Sequence, residues 1–426
     1  MNDSLQNSAG GAWQRRHTVV LLCFLSTFIC YIDRVNISIA IIPMAKQFGW
    51  SDTERGLVLS SFFAGYMVTQ VMGGWLAQKW GGKAVLGFGV VWWSVFTMLT
   101  PLSALTSFPV LIATRIAMGL GEGVAFPSVY HMFGRWVPAN ERSRAASFNL
   151  AAIPLGTLTA IIITPWLAVN YGWESVFYVF GVVGVIWYFF WRKLVTDTPA
   201  QDSRMSQSES RLFQQEEKQS DSEPIPWKQI LTQKPVWAII IMHFCSNWGL
   251  YVLLSWLPSY FSSQLGIGLR SVWIYVAPPW LAMFIMGNVV GIIADRMIDS
   301  GWSVTRVRRF MQFIGSSGPA LALIALASVD DATTAVVYLT LAMALSSFAF
   351  AGFASNHLDI APRHAGVIFG ISNTAGTLPG IIGVALTGLI VETTGSYASA
   401  FYLTAAMYAL GLVVWQLYST GEKILD

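Results

Sequence analysis

Four ionisable residues stand in stretches that are otherwise apolar: Asp33 beside Arg34, and Arg115 seven residues before Glu122. A spacing of seven places Arg115 and Glu122 two helical turns apart on one face. A guanidinium offers a planar fork of donors that fits carboxylate or phosphate. A carboxyl taken out of water loses part of its preference for the charged form, so it can take up and give back a proton. The chemistry available is anion binding joined to proton transfer. The plainer alternative is a pair of buried ion pairs, in which Arg34 and Arg115 only neutralise Asp33 and Glu122.

The elements that must hold these residues are membrane spans. Of 426 residues, 54% are hydrophobic and 11% charged, with a mean hydropathy of +0.55, whereas soluble domains carry about 25% charged residues. Apolar runs fall near 18–45, 55–78, 84–105, 107–135, 144–170 and 173–195, then near 235–262, 270–295, 306–328, 333–357, 364–391 and 396–419. Each is long enough to cross ~30 Å of hydrocarbon as a helix. The expectation is an all-α polytopic membrane protein with twelve transmembrane helices in two six-helix halves, 1–196 and 235–426. Residues 197–234, rich in Gln, Ser, Glu and Lys, read as a solvated cytoplasmic linker between them. A charge at mid-bilayer costs ~2.5–3.5 kcal/mol on insertion scales, so each of the four needs a partner or a wet cavity.

Placing both termini and the linker on one side puts 20 Lys and Arg there and three, Lys46, Arg55 and Arg270, on the other. That bias makes the first side cytoplasmic. Internal repetition supports two homologous halves. Gly74-Trp75-Leu76-Ala77-Gln78-Lys79 matches Gly291-Ile292-Ile293-Ala294-Asp295-Arg296 at an offset of 217, and Pro138 and Asn149 match Pro362 and Asn373 at 224. Two six-span repeats about a central path are the architecture of a transporter.

Several classes are excluded or disfavoured. A net charge of +3 gives nucleic acid no footprint. No G-x-x-x-x-G-K-[ST] occurs, so ATP is not the fuel, and neither H-E-x-x-H nor G-x-S-x-G is present. No enzyme, metal site or cofactor is expected. Cys23, Cys30 and Cys245 lie in apolar runs and read as core residues. Arg15 and Arg16 precede a first span that is retained, since no small-residue cleavage site follows.

Other positions carry two readings. Gly119, Gly121 and Gly123 admit either a ligand or a neighbouring helix close to the backbone. Pro154 and Pro379 are expected to kink spans five and eleven and act as rocking points. Tyr66, Asn149, Asn247, Ser372 and Asn373 either line a hydrophilic cavity or hydrogen-bond between helices.

Gly74 to Lys83 and Gly291 to Arg296 resemble the cytoplasmic loop signature of the major facilitator superfamily, with Gln78 replacing its usual Asp. The stretches 119–128 (GLGEGVAFPS), 136–143 (WVPANERS), 356–363 (NHLDIAPR), 370–376 (GISNTAG) and 421–423 (GEK) resemble the anion:cation symporter family within it. That family includes sialin, vesicular glutamate transporters, plant-type phosphate transporters and bacterial sugar-acid transporters. The resemblance implies the major facilitator fold and proton-coupled symport of an organic carboxylate or phosphate. It implies Arg34 as the anion-binding residue, with Tyr66, Ser372 and Asn373 lining the substrate cavity. Asp33 and Glu122 would be proton-coupling carboxyls, with Arg115 as the partner of Glu122. Vesicular glutamate transporters have an Arg in span seven and a His in span two, where this chain has Ser246 and Leu59. Na⁺ remains an alternative coupling ion. A drug/proton antiporter is disfavoured by a span five with the single glycine Gly156, and a transport-inactive nutrient sensor by the short tails. The expected partners are a small anion, H⁺ or Na⁺ and the bilayer, and the expected unit is a monomer. The short stretch before span one reads as lacking a transit peptide, which points to a bacterial inner membrane.

Overall fold

The computed structural model describes residues 13–138, 141–206, 209, 212–213 and 226–425, which are helical almost throughout and contain no strand. The first half comprises α1 (Arg15–Phe48), α2 (Asp52–Trp80), α3 (Gly82–Thr106), α4 (Phe108–Glu122), α5 (Ala125–Trp136), α6 (Arg142–Leu150), α7 (Ala152–Tyr171) and α8 (Trp173–Leu194). After a short α9 (Trp227–Thr232) come α10 (Lys234–Ser259), α11 (Val272–Asp299), α12 (Val304–Leu326), α13 (Ala332–Ser346), α14 (Phe353–Ile360), α15 (Ala365–Thr394) and α16 (Ala398–Tyr418). Each half thus has six spans, with α4 and α5, α6 and α7, and α13 and α14 each forming one interrupted span. Eleven spans are long and apolar enough to cross a membrane by length and composition alone. The other is α12, whose first turns carry Arg306, Arg308 and Arg309.

Local chemistry sets the helix ends. Ser51 and Glu54 form a reciprocal capping box at the start of α2, and Gly49, at a φ of 69° that other residues rarely adopt, stops α1. Span five breaks at Ala151, three residues before Pro154, as its proline predicts, whereas α15 runs unbroken through Pro379. Span four breaks after Glu122, beside Gly123.

The glycines of span four serve packing. A Cβ on Gly119 would strike the Phe62 carbonyl, one on Gly123 the Thr69 and Tyr66 backbone region, and one on Gly121 the Trp92 and Trp93 side. Without Cβ atoms, α2 and α3 close onto α4, which fixes the depth of Glu122.

The halves meet where α2 lies along α15 and touches α10. Their contacts run from Thr53 N–H donating to Glu392 (2.8 Å), through Arg55 over the Trp256 ring and Phe63 against Tyr251, to Thr377 donating to Gln70 (3.1 Å). These cover the end of the bundle away from the termini and reach its middle, so that end is closed.

The described beginning of the linker is docked, unlike the solvated segment its composition predicts. Asp202 pairs with Arg15 (3.1 Å) and Arg204 (2.8 Å), and the Glu209 carboxylate accepts the backbone N–H groups of Arg15 and Arg16, capping α1 from outside. Arg16 also pairs with Glu141 at 2.9 Å. Burial pushes the Asp202 carboxyl up, but hydrogen bonds from Arg204 and Arg15 outweigh it and hold the group below the usual carboxylate range. The acidic charge of Asp202 and Glu209 is thus spent on the basic end of the first half.

Candidate functional site

The central charges do not pair as their sequence neighbours predict. Consecutive residues on a helix project about 100° apart, so Asp33 and Arg34 face different ways from α1. Arg34 reaches across to the last residue of α4: its Nη2 donates to Glu122 Oε2 at 3.0 Å and its Nε to the same oxygen at 3.3 Å. Cys30 Sγ, one turn earlier, donates to that oxygen at 3.1 Å. The guanidinium lies over the rings of Tyr66 (4.6 Å), Tyr31 (4.7 Å) and Phe62 (5.1 Å). Arg34 and Glu122 are both buried. An ion pair this enclosed is held by geometry, since desolvation offsets much of its Coulomb attraction.

Arg115, expected as the partner of Glu122, forms no ion pair among the described residues. Its Nη1 contacts Met118 Sδ at 3.0 Å, its carbon lies 5.4 Å from the Phe62 ring centre, and its buried Nε has no hydrogen-bond partner. Asp33 is fully buried beside the Trp93 indole and forms no ion pair among the described residues. The four charges therefore divide into one hydrogen-bonded ion pair, Arg34 and Glu122, and two groups, Arg115 and Asp33, that form no direct ion pair among the described residues.

Both arginines open on one small cavity between the halves. Arg34, Arg115, Ser38 and Phe62 line it from the first half, Leu254 and Ser255 of α10 from the second. Its volume is about 10 Å³, room for roughly one water. A bound solute needs the halves to part from this closed arrangement. Of the other expected cavity residues, Tyr66 is here as a wall beneath Arg34.

Ser372 and Asn373 are elsewhere. The Ser372 hydroxyl sits between His243 Nδ1 (3.1 Å) and His357 Nε2 (3.0 Å), knotting α10, α14 and α15 within the second half. Asn373 gives its backbone carbonyl to Thr377 and is half-buried. Neither residue lines the cavity between the arginines. Asn149 accepts from Thr27 (3.1 Å) and Asn247 donates to the Gly376 carbonyl (2.9 Å), so both are interhelical ties. The residues missed by the sequence reading are Cys30, Tyr31 and Phe62 around Arg34, and Leu254 with Ser255 across from it. Cys30 and Tyr31 were findable, being four and three residues before Arg34 on one helix. Nothing in sequence brings Leu254 opposite.

Comparison with known proteins agrees with this architecture. The profile of the Major Facilitator Superfamily matches residues 23–384. A "Probable anion transporter 4, chloroplastic" of Oryza sativa subsp. japonica is 45% identical over 97% of this chain and 71% of its own length. The "Ascorbate transporter, chloroplastic" of Arabidopsis thaliana is 45% identical over 99% and 79%, and the "Sodium-dependent phosphate transport protein 1, chloroplastic" of the same plant 43% identical over 97% and 80%. These plant relatives give the expectation of a bacterial inner membrane no support. Among solved structures, a bacterial homologue of the human lysosomal transporter Spinster, inward-facing and occupied, superposes with a TM-score of 0.78 at 16% identity, covering 96% of this chain and 97% of its own. A D-xylose-proton symporter superposes with 0.77 at 15% identity, covering 96% and 99%. At such identities the likeness is one of fold.

Proposed function

The chain belongs to the Major Facilitator Superfamily and is an integral membrane transporter rather than an enzyme, and on that premise we propose that it carries a small anion, an organic carboxylate or phosphate, together with protons by alternating access. The observation that carries the reading is the cavity between the halves, lined by two arginines of which only Arg34 has an ion-pair partner among the described residues. Arg115 is the anion's primary contact. Arg34 keeps its place through Glu122 and adds its free edge when a substrate enters. This exchanges the roles expected of the two arginines.

Proton coupling follows from counting charge. With Asp33, Arg34, Arg115 and Glu122 all ionised the centre is formally neutral and holds no preference for an anion. A proton on Asp33 leaves it at +1, and the anion restores neutrality. Each ligand thereby favours the other, the thermodynamic requirement of symport. One chain holds the whole path between its halves, so a monomer suffices. Tyr66 is kept as a cavity wall, and Ser372 and Asn373 are assigned to the frame of the second half.

The test is uptake into proteoliposomes of labelled phosphate, ascorbate, sugar acids and glutamate, under an inward proton gradient, an inward Na⁺ gradient, or neither. At least one anion is expected to accumulate with the proton gradient alone. Accumulation only with Na⁺ would transfer coupling to that ion, a reading favoured by the name of the sodium-dependent relative. Failure of every anion to exchange would overturn the substrate class.

Orientation is read from charge. The 20-to-3 bias puts the termini and linker in the cytoplasm or its topological equivalent. Reporters inserted near Ser220 or fused after Asp426, both outside the described residues, are expected to read on that same side. A split result would break the twelve-span topology.

A further inference from the structure

A second cavity is remote from the centre. It is an open groove of about 420 Å³ between α12 and α16, lined by Trp302, Arg306, Arg309, Phe310, Phe313 and Gln416. It lies at the end of the bundle that carries the C-terminal segment, because Gly421 N–H donates to Thr305 at 2.8 Å and Arg309 donates to the Ser419 carbonyl at 2.6 Å. We propose that this groove binds one phospholipid with an anionic headgroup, its phosphate against Arg306 and Arg309 and an acyl chain along Phe310 and Phe313.

Three observations converge on a lipid. First, Arg306 is exposed, forms no ion pair or side-chain hydrogen bond among the described residues, and lies over the Trp302 ring at 5.5 Å. Arg309 is anchored through Nε and Nη2 to Ser419, which fixes its place in the groove. Two cations with no carboxylate partner make a site for phosphate. Second, the chemistry changes with depth. Arg306 precedes Phe313 by seven residues, about 10 Å along the helix axis, which is the passage from headgroup level into hydrocarbon. Trp302 at the mouth is the residue type that settles at that boundary. Third, the apolar wall faces outward: Phe310 is 42% and Phe313 50% exposed, and Leu321 continues the same outer face at 67%. A free phosphate would use the cations and leave the aromatic wall unexplained. A basic pocket between spans at the positively charged end is a setting that suits an anionic lipid.

The experiment is a thermal-stability titration of the full chain in neutral detergent with phosphatidylglycerol, phosphatidylcholine or inorganic phosphate alone, for wild type and Arg306→Gln. Arg306 is exposed and unpaired, so the variant is expected to fold with an unchanged lipid-free midpoint. Phosphatidylglycerol is expected to raise the wild-type midpoint by about 2–5 °C more than phosphatidylcholine, as binding to the folded state alone requires. Arg306→Gln is expected to remove most of that difference, and native mass spectrometry to show at least about fivefold less retained phosphatidylglycerol. Equal protection by the two lipids, or full protection of Arg306→Gln, would overturn the proposal. So would a stabilisation by inorganic phosphate alone that disappears in Arg306→Gln, since the groove would then hold free anion. Phosphate stabilisation that ignores Arg306 belongs to the central cavity and leaves the lipid result standing.

Discussion

Arg115→Gln is expected to lower kcat/KM for anion uptake by about 10²-fold or more while leaving the thermal midpoint near that of the wild type. A guanidinium gives an anion two charge-assisted hydrogen bonds, each worth about 1.5–3 kcal/mol, and about 1.4 kcal/mol is a factor of ten. Stability is largely spared because Arg115 makes no direct ion pair among the described residues, unlike Arg34. Arg34→Gln is the contrast. It strands Glu122, a buried carboxylate whose ion pair is with Arg34, and breaking a buried pair costs about 3–5 kcal/mol. Transport and thermal midpoint should therefore fall together in Arg34→Gln, and Arg34→Gln/Glu122→Gln should recover the midpoint by removing both charges. Arg34→Lys keeps the charge but loses the fork that spans Glu122 and the cavity, so it should fold and transport poorly. Uptake by Arg115→Gln within a few-fold of wild type would remove Arg115 from the anion site. The role would then return to Arg34.

The pairing of the central charges marks where sequence reasoning stops. All twelve spans were legible, because each apolar run is long enough to cross, and even α12 was readable through its repeat position despite Arg306, Arg308 and Arg309. Caps such as Ser51 with Glu54 were local enough to see. Pairing across helices was not. Spacing on α4 aligned Arg115 with Glu122, but Glu122 ends that helix, and its partner comes from α1 because Gly119 and Gly123 let α2 pack tightly against span four. The surroundings of Ser372 were hidden for a related reason. Its polarity within an apolar span was visible, but which neighbour it faced depended on His243 and His357, which lie 129 and 15 residues away. The docking of Asp202 and Glu209 was hidden likewise, since composition reports solubility and is silent about the Arg15 and Arg16 cluster that receives them.

Asp33→Asn is expected to abolish accumulation driven by a pH gradient yet keep exchange of labelled for unlabelled anion. The two carboxyls of the centre are not equivalent. Glu122 holds Arg34 and accepts from Cys30, so discharging it would release a buried guanidinium. Asp33 holds no ion pair among the described residues, so it can change charge at less structural cost. Asparagine fixes that position in the neutral state. The centre then stays at +1, still takes an anion and still exchanges it, but no proton moves with the cycle. One proton across a one-unit pH gradient supplies about 1.4 kcal/mol, enough for about tenfold accumulation of substrate. In Asp33→Asn that ratio should fall to about one, with exchange within a few-fold of wild type and little dependence on pH. Glu122→Gln should differ in kind: it leaves Arg34 unpaired, lowers the thermal midpoint, and impairs exchange as well as accumulation. If Asp33→Asn still accumulates substrate with only a pH gradient applied, Asp33 is not the exchanging group. Glu122 is then the remaining carboxyl at the centre, and a Glu122→Gln variant that exchanges normally but cannot accumulate would transfer the proton to it. Accumulation surviving in both variants would leave the coupling to Na⁺.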